Sequence, residues 1–349
     1  MTMEFGIYSF GDMYRDPSTG AAMNVGKRLR QAVEQIVLAD QAGLTFFGVG
    51  ERHVPEFAIS SPTTVLAAAA SLTTQIRLTS AVTVLSAEDP VRVYQQFATL
   101  DQLSGGRAEI IAGRGSFTEA FALFGAPLAD YDELFDEKLS MLLAVDANEE
   151  VSWSGKYHAP LDHARVLPRA QGTADRPGHL PIWVGTGGNQ RSSIRIGALG
   201  LPIVYGIIGG DTASFAPLVQ LYRQAGASRG HDAASLKVGI SATGLILDDG
   251  QQAKRELYPH FMSVINQRFG ERSDADQHAF YDQAAAPAGA LFVGSPNEVV
   301  DKILRVHDTF GNLRIGMQLD FGGIDPALTN RSIELLATEV IPKVNAALA

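Results

Sequence analysis

The stretch PIWVGTGGNQRSSIRIGALGLPIVYGII, residues 181–208, reads as a strand, a glycine-rich turn, a helix and a second strand. Its flanking runs, 181–185 and 202–208, are apolar almost throughout instead of alternating. Parallel strands have this character when helices cover one side and a core fills the other. Six more such runs occur, at 4–10, 46–50, 76–85, 108–112, 237–246 and 315–321. Helical stretches separate them, at 27–42, 61–71, 91–103, 134–145, 190–199, 214–225, 252–268, 297–310 and 332–348. The first carries Leu29, Val33, Ile36 and Val37 at helical spacing and stops at Gly43. The second has Pro62 near its start.

Strands alternating with helices in this number predict an α/β fold, a (β/α)8 TIM barrel forming one domain over 1–349. The competitor is a doubly wound open sheet. Strand count, length and the lack of a Pro/Ser-rich linker favour the barrel. Two segments exceed plain barrel economy, at about 148–181 and 248–289. Such insertions often form loops over the C-terminal mouth, and the second is the candidate lid.

The 349 residues are 46% hydrophobic and 19% charged, which suits a globular chain with a large core. There is no cysteine, which excludes a disulfide framework, thiol catalysis and thiolate metal sites. A net charge of −10 and a pI near 5.3 describe a surface that repels nucleic acid and anionic membranes. The N-terminus lacks a basic region followed by an apolar core, and no run reaches the roughly 18 apolar residues of a membrane span. The expectation is a cytoplasmic protein.

In such barrels ligands sit past the C-terminal ends of the strands. The second strand run ends at Glu51-Arg52-His53, the fourth at Gly113-Arg114-Gly115-Ser116 and the fifth at Gly185-Thr186-Gly187-Gly188-Asn189. The last of these opens into a helix. Glycines let backbone amides crowd around an anion, and the helix N-terminus adds partial positive charge. The alternative is that they only satisfy the geometry of a strand-to-helix turn. Thr186 adds a hydroxyl and Arg114 a permanently charged fork, so together they suit a phosphate. Glu51 and His53 are residue types that exchange protons near neutral pH, although Glu51 is equally suited to an ion pair with Arg52 or Arg107. His158 and His163 stand five apart in a polar loop without a carboxylate motif, so no metal site is expected. GxSxG, Walker and GxGxxG motifs are absent.

FFGVGERHVPEF, RLTSAVTVLSAEDPVRVYQQFATLDQLSGGRAEIIAGRGSFTEAFALFG and the 181–208 stretch resemble the bacterial luciferase-like flavin monooxygenases. The resemblance runs from Glu4 to about Pro342 and is weakest across 148–178 and 248–289. It implies a (β/α)8 barrel that uses FMN or a deazaflavin, often as a homodimer, with reduced flavin supplied by a separate reductase. It places Arg114 and Thr186 at the FMN phosphate, with Gly185, Gly187 and Gly188 as the backbone cradle and Gly115 as a further cofactor-binding residue. Ala81 and Val82 match a cis peptide beside the isoalloxazine ring, Gly113 a position facing the reactive flavin carbon, and Phe117 an aromatic near the flavin. Tyr205 begins a stretch lining the ring's other side.

Glu51-Arg52-His53 matches the family's Glu-His-His, with Arg52 in place of the first histidine. Ala120 stands where luciferase has an acidic residue, so light emission is not expected. The implied activity is a monooxygenase in which reduced FMN and O2, through a C4a-hydroperoxide, oxidise a small organic substrate. The rivals are a deazaflavin-dependent dehydrogenase or reductase of the same family and a non-catalytic flavin-binding protein.

Overall fold

The computed structural model describes residues 3–16, 19–115, 117–311 and 313–349. Ser116, at the turn after the fourth strand, lies outside them. Eight parallel strands close on themselves: β1 (Glu4–Ser9), β2 (Phe46–Val49), β3 (Arg77–Ser80), β4 (Ala108–Gly113), β5 (Ile182–Thr186), β6 (Ile203–Ile207), β7 (Val238–Ile246) and β8 (Leu313–Gln318). β4 pairs with β5 through Ile110 and Ile182, and β8 pairs with β1 through Ile315 and Phe5, so no open edge remains. The barrel expected from the strand count is the one present, and the open-sheet alternative is excluded.

Two strand expectations need correction. The run 76–85 is broken: Thr83–Val84 pairs with β4 as a separate piece, and a cis peptide joins Ala81 to Val82 between the two pieces. The run 315–321 starts earlier and ends at Gln318, because Asp320 is drawn out of the sheet by Ser9 and Arg28. The last helical stretch begins at Pro326 instead of 332, capped by the Asp325 side chain.

Alternation along each strand sorts the side chains. Phe47, Ile110, Ile182, Tyr205 and Ile315 face outward into the core shared with the helices. Inside, the N-terminal floor holds Glu4, Arg77, Glu109 and Arg314, joined by ion pairs. Tyr8, Phe46, Ile111, Trp183 and Val204 fill the middle. Above them the inward positions are Gly48, Gly50, Ala81, Gly113, Gly185 and Gly206, which leaves the barrel shallow at its C-terminal mouth.

The segment 148–181 does not cover the mouth. It follows Tyr131–Ala147, which descends the outside of the barrel, and forms an antiparallel hairpin of Glu150–Trp153 with Leu161–Arg165. Backbone carbonyls at its base accept from Gln95 and Gln102, and its Arg169 donates to Val145 and Asp146. The hairpin thus clads the helix layer, and only its tip reaches the rim, where His158 meets Asp89 and Lys156 meets Asp130.

The segment 248–289 folds into two helices, Gly250–Phe269 and Asp274–Ala285. Leu257, Phe261, Met262, Ile265, Tyr281 and Ala284 give this pair its own small core with Leu245, Leu291 and Val293. Its tip reaches the loop after β4, where the Arg268 guanidinium lies 5.6 Å from the Phe117 ring centre. No helix among the described residues is long and apolar enough to cross a membrane.

Candidate active site

Arg114 leaves β4 and reaches the helix that opens after β5. Its guanidinium donates to Ser192 Oγ at 2.6 Å and to Asp132 Oδ1 at 2.5 Å. Ser192 belongs to the first turn of Gln190–Ala198, directly after Thr186-Gly187-Gly188-Asn189. The arginine and the glycine-rich turn, at the ends of the adjacent strands β4 and β5, therefore converge. Asn189 caps the helix by accepting from Ser192 N at 2.7 Å. The amides of Gln190 and Arg191 precede any intrahelical acceptor and are left for a ligand.

Thr186 Oγ1 accepts from Gly188 N at 3.3 Å and so shapes the turn. Gly188 is glycine by necessity: its φ is +90°, and a Cβ there would lie 2.5 Å from Phe215. Gly187 borders open space. The turn after β4 is held in the same way. Tyr131 donates to Gly115 O at 2.6 Å, and Gly115 has φ +79°.

Val82, after the cis bond, points across the top of the barrel. A Cβ on Gly113 would meet its side chain at 2.4 Å, and one on Gly185 at 2.7 Å. Both glycines thus make room for the Val82 isopropyl group, which fills the space above Gly113 that the resemblance assigns to the flavin's reactive carbon. Tyr205 lies on the other side of the wall. It is fully buried outside the barrel, donates to Ser193 Oγ at 2.9 Å and packs edge-on against Phe215. Strand alternation gives Gly206, not Tyr205, the inward position at the end of β6.

Glu51 is buried at the exit of β2. It accepts from His53 Nε2 at 2.8 Å and from Val84 N at 3.2 Å, tying the histidine to the broken strand. The ion pair with Arg52 or Arg107 does not form. Arg107 is spent on backbone carbonyls of Ala70, Thr73, Ile76 and Ser104, and Arg52 turns to aromatic rings. Its guanidinium lies 4.4 Å from the Phe10 ring centre, 4.3 Å from Phe117 and 5.8 Å from Phe57. Burial lowers its pKa to about 10 against the pull of Asp12, so it stays cationic at neutral pH. The His53 ring meets Phe124 edge-on at 5.3 Å. His158 and His163 stand apart from this group, and no metal-holding cluster occurs among the described residues.

One buried cluster escaped sequence reasoning. Asp12 accepts from Gln318 Nε2 at 3.0 Å and Gly322 N at 2.8 Å, and Asp320 accepts from Ser9 and Arg28. The only available signal was an acidic residue just past each of β1 and β8, and the second was hidden inside an overlong strand. Burial, reinforced by the Asp320 charge, pushes the Asp12 carboxyl well above the aspartate range. The folded state therefore holds a proton that the unfolded state releases, and stability falls as pH rises through the folded-state pKa. Asp12→Asn is expected to match the native protein in urea unfolding below the ordinary aspartate pKa and to exceed it increasingly as pH rises from there towards the folded-state pKa. A difference that is constant with pH would contradict the assignment.

The family model described as "Luciferase-like monooxygenase" matches residues 3–313. The chain is 27% identical to 4-hydroxyprotoasukamycin monooxygenase of Streptomyces nodosus subsp. asukaensis, over 97% of this chain and 93% of that one. Among solved structures it is similar, with TM-score 0.77 and 22% identity over 99% of both chains, to a type II Baeyer-Villiger monooxygenase. That protein is the oxygenating constituent of 3,6-diketocamphane monooxygenase from Pseudomonas putida, solved with FMN. It is also similar to the coenzyme F420 dependent tetrahydromethanopterin reductase of Methanopyrus kandleri, with TM-score 0.73 and 20% identity over 99% of this chain and all of that one. The chain belongs to the luciferase-like monooxygenase family and is an oxidoreductase.

Proposed function

We propose that the protein is an FMN-dependent monooxygenase acting on a small organic substrate. The observation that carries this reading is the meeting of Arg114 with the first turn of Gln190–Ala198 beside a mouth of small inward residues. When bound, reduced flavin supplies two electrons that, with O2, deliver one oxygen atom to the substrate and the other to water. A separate reductase returns the flavin to its reduced form.

This chain's residues hold and orient. Arg114, the Thr186 and Ser192 hydroxyls and the amides of Gln190 and Arg191 are the donors for a phosphate. Val82, with Gly113, Gly185 and Gly206 around it, gives an apolar floor that would hold an aromatic ring system. His53 is fixed through Nε2 by Glu51, so Nδ1 is the atom that takes up or releases a proton during turnover. Phe10, Phe57, Phe117 and Phe124 and the tip of the two-helix insertion keep water from the reacting atoms.

The test is oxygen uptake by the purified protein supplied with reduced FMN, across a panel of aldehydes, ketones and aromatic acids. The expected result is uptake above flavin autoxidation for at least one class, with an oxygenated product. Hydride transfer to or from F420 with no oxygen uptake would place the protein with the dehydrogenases instead. Tight FMN binding with no turnover on any class would make it a flavin-binding protein.

A further inference from the structure

Two arginines at the mouth lie against one aromatic ring, and neither is held in an ion pair among the described residues. Arg52, from the exit of β2, and Arg268, from the last turn of Gly250–Phe269, lie against the same Phe117 ring, at 4.3 and 5.6 Å from its centre. Arg52 donates only to the Glu51 carbonyl, at 3.3 Å, and its buried Nε has no partner. Of the carboxylates whose charge favours the Arg52 cation, Asp12 is bonded to Gln318 and Gly322 N, Glu51 to His53 and Val84 N, and Glu119 acts without forming an ion pair with it. The positive charge of Arg268 also works against that of Arg52.

In a chain with 38 acidic and 28 basic residues, two arginines without an ion-pair partner against one ring are not supplied by the average surface. Bringing like charges together costs free energy, and an anion between them recovers it. A helix C-terminus accounts for an arginine at position 268, but not for its placement beside a second one. Stacking on Phe10 and Phe117 fixes the plane of the Arg52 fork and leaves its edge free, which suits a planar oxyanion. The surroundings are Phe10, Phe57, Phe117 and Phe124, so the rest of such a ligand is apolar.

We propose that the substrate is an apolar-bodied carboxylate whose anionic group is gripped by Arg52 and Arg268 beside Phe117. Only the word substrate rests on the monooxygenase reading; the anion site stands on the arginines alone. It uses other residues than the phosphate cradle: Arg52 stacks on Phe10, Phe57 and Phe117, whereas Arg114 bonds Ser192 and Asp132.

The test is calorimetric titration of the flavin-free protein with 3-phenylpropanoate and with its uncharged primary amide. The acid is expected to bind roughly ten- to hundredfold more tightly than the amide. Arg52→Gln should erase that preference, and Arg268→Gln, at an exposed helix end that folding does not need, should reduce it. Added salt should shrink it in the native protein. Equal affinity for acid and amide, binding of neither, or a preference that survives both substitutions would overturn the proposal. So would an Arg52→Gln protein whose discrimination of FMN from riboflavin is lost, because the arginine would then belong to the phosphate site. Loss of flavin binding with the acid preference intact would instead sink the monooxygenase reading and leave the anion site standing.

Discussion

Glu109→Ala is expected to destabilise the protein by about 3–5 kcal/mol, the scale of breaking a buried ion pair from one side. Glu109 and Arg314 are both almost fully buried on the barrel floor, with Nη1 and Oε1 2.5 Å apart. Arg314 is wedged between Phe46, at 3.6 Å, and Trp183, at 4.8 Å, and its Nε and Nη2 already lack hydrogen-bond partners. Without Glu109, its charge would have only Glu4, at 3.9 Å, to answer it. Arg77, which lies 3.7 Å from Glu109, loses a partner as well, and the two arginines are left to share Glu4. Urea unfolding of the variant and the native protein measures the loss. Replacing both residues, as Glu109→Leu with Arg314→Met, should recover much of it, because the pair is costly to bury and costlier to halve. A loss of only about 1 kcal/mol, the scale of an exposed pair, would mean that water reaches the floor.

Arg114→Ala is expected to weaken FMN binding by about 1.5–3 kcal/mol, the cost of removing a charged hydrogen-bond partner. Riboflavin, which lacks the phosphate, should lose far less. Arg114 also bridges Asp132 and Ser192, so the substitution slightly loosens the contact between Tyr131–Ala147 and Gln190–Ala198. Asp132 retains Arg191 at 3.5 Å, and the fold should survive. The two ligands separate these effects. A loosened helix contact weakens both equally, whereas a missing phosphate partner weakens only FMN. Equal losses would therefore make Arg114 a structural bridge.

The barrel was legible because continuous apolar runs such as 108–112 and 202–208 have few other uses in a chain with helices between them. Register and side were less so. Tyr205 was placed beside the ring by the resemblance, yet counting in twos from Val204, which faces inward, puts it outside. The composition of the 76–85 run does not show its break at Ala81-Val82; only the family resemblance pointed to a cis peptide there, and the structure has it. The 148–181 segment is polar enough for a mouth loop, but its hairpin is decided by contacts to helices distant in sequence.

The convergence of Arg114 with the glycine turn followed from both lying at strand ends, since a closed barrel brings all its strand ends to one face. Their shared partner, Ser192, was invisible because it sits one turn inside a helix. Asp12, Asp320 and Arg28 come from three separate segments, and their meeting is a product of closure between β8 and β1.

The central claim is that the mouth of this barrel holds reduced FMN by its phosphate. Titration of the native protein with reduced FMN and with reduced riboflavin, in the absence of oxygen, tests it most directly. The expected result is FMN binding in the low micromolar range and riboflavin binding roughly ten- to hundredfold weaker. Failure to bind FMN, or equal affinity for the two, would contradict it.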